Sequence, residues 1–120
     1  MKQVLTVEDS ASVRQMVSFT LRSAGYEVTE AADGQLGIEK AREGKFDLII
    51  SDLNMPNMDG IQMIAGLRKL PGYSFTPILM LTTESQPEKK DAGRKVGATG
   101  WIVKPFQPGQ LIAVIQRLVR

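Results

Sequence analysis

Residues 46–52 read Phe-Asp-Leu-Ile-Ile-Ser-Asp, and residues 78–81 read Ile-Leu-Met-Leu. The apolar residues in the middle of each segment are consecutive and do not alternate with polar ones. A strand that exposes one face to water shows such alternation, whereas a central strand of a parallel sheet is covered on both faces and does not. The two segments therefore predict the centre of a parallel sheet with helices packed on both sides.

Three more apolar runs extend this pattern along the chain. The five runs are Val4–Val7, Tyr26–Ala31, Phe46–Ile50, Pro77–Leu81 and Trp101–Val103. Segments with helical periodicity separate and follow the runs. The first has one face formed by Val13, Met16, Val17, Thr20, Leu21 and Ala24 and ends at Gly25, and the last repeats this spacing at Leu111, Val114, Ile115 and Leu118. Five alternations with short joints predict an α/β fold, a doubly wound five-stranded parallel sheet.

The helical segment before the fifth run differs from the others. Residues 87–97 include a cluster of basic side chains and offer only Ala92 and Val96 for burial. Gly93 lowers the stability of this helix by about 1 kcal/mol relative to alanine. We expect the most weakly packed helix here, which is either an ordinary solvated helix or an element that a switch repositions.

Composition limits the function classes. The 120 residues are 42% hydrophobic, which predicts one domain spanning residues 1–120 with a single core. Cysteine and histidine are absent, which excludes disulfides, thiolate metal sites and a phosphohistidine on this chain. A net charge of +2 does not argue for nucleic acid, and no run reaches membrane-spanning length. We expect a cytoplasmic monomer that binds neither nucleic acid nor membrane.

Polar residues stand where the apolar runs end. They are Glu8 and Asp9 after the first run, Asp52 after the third, Thr82 after the fourth and Lys104 after the fifth. If the strands are parallel, all of these side chains meet at one edge of the sheet, where open α/β sheets bind ligands. Three carboxylates there would repel one another unless a divalent cation neutralised them, and oxygen ligands suit Mg²⁺. The hydroxyl and the ammonium could hold the oxygens of a phosphoryl group.

Four stretches around these residues resemble the response-regulator receiver domains, in particular the single-domain chemotaxis regulators of the CheY type. The stretches are Val7–Ser10, Ile50–Gly60, Leu81–Glu84 and Val103–Phe106. The resemblance implies a flavodoxin-like (βα)5 fold with strand order 2-1-3-4-5, which is the known order of CheY and comes from the resemblance alone. It also implies a cis Lys104–Pro105 peptide.

The resemblance assigns a role to each site residue. Asp52 accepts a phosphoryl group, and Lys104 pairs first with Asp52 and then with the phosphoryl oxygens. Magnesium is held by Asp9 directly, by Glu8 through a water, by Asp52 and by the backbone carbonyl of Asn54. Thr82 turns toward the phosphoryl group and lets an aromatic residue of strand five rotate inward. That residue is Trp101 here, where the chemotaxis regulators commonly have tyrosine.

Each residue also has a simpler interpretation. Asp52 could cap the next helix or shape its loop, and the Glu8–Asp9 pair could be an ordinary turn before a capping serine. Lys104 could extend its ammonium to solvent, and Thr82 could cap the end of its strand. Trp101 could be an ordinary surface or core aromatic residue.

Three functions compete on these residues. The favoured one is a two-component signalling switch, which is not an enzyme beyond its own phosphorylation and dephosphorylation. It takes the phosphoryl group from a CheA-like histidine kinase and changes the affinity of a face formed by helix 4, strand 5 and helix 5. Its target could be a flagellar motor switch protein or a phosphatase, or the chain could be a phosphate sink.

The other two functions each meet an obstacle in the sequence. A magnesium-dependent phosphohydrolase needs a second acid two residues after the nucleophile, where Asn54 stands. A flavin-binding module needs a hydroxyl- and glycine-rich first loop, where Glu8 and Asp9 place negative charge.

Overall fold

The fold alternates five strands with five helices. The computed structural model describes residues 2–53, 55, 58–82, 87–104 and 106–119, with the side chains of Thr82, Pro87 and Lys89 outside the description. The strands are β1 Gln3–Val7, β2 Glu27–Ala31, β3 Leu48–Asp52, β4 Ile78–Thr82 and β5 Gly100–Val103. The helices are α1 Ala11–Ser23, α2 Gly34–Glu43, α3 Gly60–Arg68, α4 Pro87–Val96 and α5 Pro108–Leu118.

All pairs of neighbouring strands are parallel, and their order is β2-β1-β3-β4-β5. The predicted fold class and strand order are confirmed. In the register, Val7 lies beside Ser51, Asp52 beside Leu81 and Thr82 beside Val103. The carboxyl ends of β1, β3, β4 and β5 therefore meet at one edge of the sheet, as the site prediction requires.

The core has two halves, one on each face of the sheet, and successive residues of a central strand alternate between them. On β3, Leu48 and Ile50 belong to one half, whereas Ile49 belongs to the other. The first half packs against α1 and α5, and the second packs against α2 and α3. Every residue of β3 is buried, which confirms the prediction that continuous apolar runs form central strands.

Strand β3 runs from Leu48 to Asp52, two residues later at each end than the apolar run that predicted it. Ser51 and Asp52 pair with Met80 and Leu81 of β4, so the ladder continues through polar residues. Backbone pairing does not depend on side-chain polarity, and hydrophobic patterning alone therefore ends this strand too early.

Helix α1 ends as its sequence predicts. Gly25 has a φ of 95°, a conformation that glycine adopts without steric cost. Its N–H donates to the carbonyl of Arg22, and the N–H of Tyr26 donates to the carbonyl of Leu21, which together form a Schellman motif. At the other end Ser10 is the N-cap, and its hydroxyl accepts from the N–H of Val13. These caps fix where α1 begins after the acidic pair.

Helix α4 buries little. Among its described residues only Gly93 is buried, whereas α1, α3 and α5 each bury large apolar side chains. This agrees with the expectation of a weakly packed helix. In the described part of the chain, no helix has the length and apolar content to cross a bilayer.

Candidate functional site

Three carboxylates gather at the carboxyl edge of the sheet. Glu8 and Asp9 directly follow β1, and Asp52 is the last residue of the neighbouring strand β3. Each offers one oxygen, and these oxygens lie within 4.8 Å of one another. Glu8 and Asp52 are buried and Asp9 is exposed, so the cluster is open to solvent on the Asp9 side. This is the arrangement that the strand-end positions predict.

Glu8 is only 5% exposed, and three contacts orient it. Its backbone N–H donates to the carbonyl of Ala31 on β2, at 3.1 Å. Its carboxylate accepts from the N–H of Ser10 at 3.2 Å and from the ammonium of Lys104 at 2.9 Å. Burial raises the pKa of Glu8 above its ordinary value; the hydrogen bond from Lys104 opposes this shift, and the negative charge of Asp52 adds to it.

Lys104 follows β5 and points into the acidic cluster. Its Nζ lies 2.9 Å from Oε2 of Glu8 and 3.5 Å from Oδ2 of Asp52. The resemblance predicts a pair with Asp52, and the structure adds a shorter contact to Glu8. The side chain is 15% exposed, so the alternative that the ammonium extends into solvent is wrong. One cation is shared by two buried acids.

The helix after Asp52 is capped by a different aspartate. The side chain of Asp59 accepts from the N–H of Gln62, and the Gln62 side chain accepts in turn from the N–H of Asp59. This capping box begins α3 and leaves the carboxylate of Asp52 free of a capping role. The helix-cap interpretation of Asp52 is therefore wrong.

Gly60, the first residue of α3, lies close against the end of β3. Its N–H donates to the carbonyl of Leu53 at 2.8 Å. A Cβ on Gly60 would lie 2.5 Å from the backbone oxygen of Asp52 and 2.7 Å from Cε of Met80. Residue 60 must therefore be glycine for steric reasons if Asp52 is to keep its position.

Some predicted site residues lie partly or wholly outside the description. Thr82 is the last residue of β4 at the same edge of the sheet, but its side chain is not described. Asn54, whose carbonyl is a predicted metal ligand, and Pro105 of the predicted cis peptide lie outside the described residues. The roles of Thr82 and Asn54 stay predictions.

Trp101 on β5 is half-buried and carries two cations of α4 over its ring. Nζ of Lys90 lies 5.5 Å from the ring centroid, and Cζ of Arg94 lies 4.9 Å from it. Indole is the strongest cation–π partner among the aromatic side chains. Trp101 therefore packs against the half of the core beside α2 and α3 and also contacts two basic side chains of α4.

Sequence reasoning missed Arg14 on α1. Its Nη1 donates to the backbone oxygen of Glu8 at 2.7 Å, and its Nε donates to Glu30 of β2 at 3.2 Å. It also lines, with Glu8 and Asp52, a small cavity beneath the carboxylates. An arginine on a helix gives no sequence signal for a contact with a carbonyl six residues before it, so only the structure finds this residue.

The donor set fits a hard divalent cation. Carboxylate oxygens at this spacing suit Mg²⁺, and Lys104 supplies one positive charge for three acids. The raised pKa of Glu8 reflects burial and the negative charge of Asp52, which a bound cation would offset.

The model of the response regulator receiver domain matches residues 4–116. The chain belongs to this family. The receiver domains are modules of two-component signalling, and the resemblance noted in the sequence is confirmed.

This receiver domain is similar to several solved structures of chemotaxis proteins, response regulators and receiver domains. It is similar to the chemotaxis protein CheY4 of Vibrio cholerae, with 56% identity, a TM-score of 0.97 and 99% of each chain covered. A response regulator of Burkholderia multivorans is 47% identical with a TM-score of 0.81, covering 98% of this chain and 94% of that one. A receiver domain of a Pseudomonas aeruginosa sensor histidine kinase, solved with magnesium in its active site cleft, is 28% identical with a TM-score of 0.91, covering 98% and 96%.

Among curated sequences, the receiver domain is 35% identical to the transcriptional regulatory protein SrrA of Staphylococcus aureus. The match covers 98% of this chain and 48% of SrrA. The chain thus spans about half the length of this relative.

Replacing Gly60 tests the close approach of α3 to the strand end. We expect Gly60→Ala to lower the free energy of unfolding by about 1–3 kcal/mol, because its methyl group meets backbone and must displace the end of β3. Gly109→Ala in α5 is the control, since a Cβ there meets no atom within 4 Å. Urea denaturation measures both variants. An equal free energy of unfolding in the two variants would show that the end of β3 shifts without destabilising the fold.

Proposed function

We propose that this receiver domain is a phosphorylation-controlled signalling switch in which Asp52 takes a phosphoryl group from a CheA-like chemotaxis histidine kinase in the cytoplasm. The observation that carries the proposal is the shared contact of Lys104 with Glu8 and Asp52 inside a cluster of three carboxylates. The domain catalyses only its own phosphorylation and dephosphorylation. The similarity to CheY4 supports a chemotaxis kinase as the donor.

Asp52 is suited to be the nucleophile. An oxygen of its carboxylate attacks phosphorus, the bond from phosphorus to the imidazole nitrogen of the donor breaks, and that nitrogen keeps the electron pair. With the other ring nitrogen of the phosphohistidine protonated, the leaving group is a neutral histidine on the kinase, and the product on this chain is an acyl phosphate at Asp52. Asp52 ends a fully buried strand and its carboxylate lies 3.5 Å from the ammonium of Lys104, so the nucleophile is oriented before the donor arrives.

Lys104 orients the negative groups. Its ammonium contacts Asp52 before phosphorylation and can hydrogen-bond a phosphoryl oxygen afterwards while it keeps Glu8. Glu8, Asp9 and Asp52 would hold Mg²⁺, with the backbone carbonyl of Asn54 as a further proposed ligand. The metal supplies charge neutralisation for the attack of one anion on another.

The output is proposed to be the face formed by α4, β5 and α5. Lys90 and Arg94 lie over the ring of Trp101 on this face and give it a basic, aromatic surface. If Thr82 turns toward the phosphoryl group, the adjacent strand β5 and Trp101 respond, and the affinity of the face for its target changes. A binding screen would separate three outputs. The target is a motor switch protein, or it is a phosphatase, or the chain has no target and acts as a phosphate sink.

Phosphorylation is the first test. Wild-type protein with acetyl phosphate and Mg²⁺ is expected to gain one phosphoryl group, measured by intact mass spectrometry, and chelation of the metal should abolish the gain. Asp52→Asn should gain none, because an amide does not attack phosphorus. Stoichiometric phosphate on Asp52→Asn would place the acceptor on another residue.

Magnesium should stabilise the domain. Binding to the folded state adds about 2.7 kcal/mol at a metal concentration a hundred times Kd, so Tm should rise by several degrees. Asp9→Ala removes a ligand and a repulsive charge, and we expect a higher metal-free Tm with no response to Mg²⁺. Glu39→Ala, on the exposed side of α2, should keep the full shift. A normal shift in Asp9→Ala would place the metal elsewhere.

Trp101, the only tryptophan, reports on the output face. Starting from the magnesium-bound protein, acetyl phosphate should change its emission in the wild type and leave Asp52→Asn unchanged, because the change requires phosphorylation. Iodide quenching measures the exposure of the ring in each state. If emission and quenching both stay constant while mass spectrometry shows full phosphorylation, Trp101 takes no part in switching.

A further inference from the structure

The loop that carries the two metal acids is held at the peptide that joins them. The backbone oxygen of Glu8 belongs to the Glu8–Asp9 peptide, and Arg14 donates to it at 2.7 Å. The preceding N–H of Glu8 is bound to the carbonyl of Ala31. Since a peptide unit is planar, fixing its carbonyl also fixes the N–H of Asp9 and hence the direction in which that residue leaves the strand.

Arg14 is itself oriented by a carboxylate on the edge strand. Its Nε donates to Oε1 of Glu30 at 3.2 Å, while its Nη1 donates to the backbone carbonyl of Glu8. The guanidinium is planar, so two bonds to different nitrogens set the plane of the whole group. The Arg14 side chain is 20% exposed and lines the cavity under Glu8 and Asp52. Its position is therefore set by packing, by Glu30 and by the loop together.

We propose that Arg14 is a positioning residue for the metal acids Glu8 and Asp9, and that Glu30 acts through Arg14. The proposal rests on the proposed function of the site. Among the described residues, the hydrogen bonds of the Arg14 side chain go to Glu30 and to the backbone oxygen of Glu8, and not to a carboxylate oxygen of the proposed metal site. It holds the peptide between two ligands, so that both side chains reach the same ion without a search through loop conformations.

Arg22 provides a matched control in the same cluster. It also pairs with Glu30, at 3.6 Å, and donates to the carbonyl of Val28 at 3.3 Å. Its side chain is 55% exposed, and within the described part of the chain its side-chain partners lie on β2 alone. Arg14 and Arg22 thus share a carboxylate partner, and Arg14 is the one that contacts the acidic loop. A role in holding β2 would be common to both arginines, whereas a role at the metal would belong to Arg14.

The experiment compares wild type, Arg14→Lys, Glu30→Gln, the double variant and Arg22→Ala. Titration calorimetry gives Kd for Mg²⁺, intact mass gives the rate of phosphorylation by acetyl phosphate, and thermal unfolding gives Tm. We expect Arg14→Lys to raise Kd about tenfold, since lysine keeps the charge but has no planar fork for two directed bonds. Glu30→Gln should raise Kd less, and Arg22→Ala should leave Kd within about twofold of wild type, as expected of an exposed pair.

The double variant tests whether Glu30 acts through Arg14. If it does, the two effects on Kd are not additive, and the double variant resembles Arg14→Lys alone. Additive effects would overturn the role given to Glu30. If Arg14→Lys does not fold, the Kd of Glu30→Gln for Mg²⁺ is measured in its place, and the proposal can still be refuted.

Two results would overturn the positioning role of Arg14. One is a lowered Tm of Arg14→Lys with Kd and phosphorylation rate equal to those of Arg22→Ala, which is a purely structural role. The other is an unchanged Kd in Arg14→Lys with unchanged Tm, since charge alone would then suffice. A wild type that binds Mg²⁺ but gains no phosphate would instead refute the proposed function, and the comparison of Kd values would still decide the role of Arg14.

Discussion

Glu8 and Asp52 hold their carboxylates at the buried ends of two neighbouring strands, and Lys104 reaches both. Within the described residues, this three-way contact links β1, β3 and β5 at the edge where the chemistry is proposed. Two acids at such a spacing weaken the fold unless positive charge lies between them. The lysine supplies one charge and leaves a net negative cluster, so the site is both a stability cost and a place for a divalent ion.

The backbone rather than the side chains creates this contact. Parallel pairing aligns the ends of the strands, and the order with β1 beside β3 brings Glu8 next to Asp52. The close approach of Gly60 then presses the start of α3 against the end of β3. The side chains can interact only because the backbone has this geometry. Gly60 therefore shapes the site although it carries no functional group.

The sequence predicts the elements and the strand-end residues because hydrophobic runs and their ends are local features. The end of β3 lies beyond its apolar run because Ser51 and Asp52 pair through their backbones. The order of the strands is not local, and only the resemblance supplied it. Arg14, Glu30 and the contact of Lys104 with Glu8 depend on side chains distant in sequence meeting in space. No spacing rule predicts such contacts. The sequence therefore identified the acidic residues but not the side chains that orient them.

The strand at the free edge beside β1 has charged residues where another strand would have to pair. On β2, Glu27 is exposed and Glu30 is held by two arginines of α1. Charged side chains on an edge oppose the addition of a further strand from another molecule. At the opposite edge the strand β5 has only four residues, and Lys90 and Arg94 of α4 lie over the ring of its Trp101. The charges on β2 are therefore expected to make copies of the domain resist joining edge to edge at that side of the sheet.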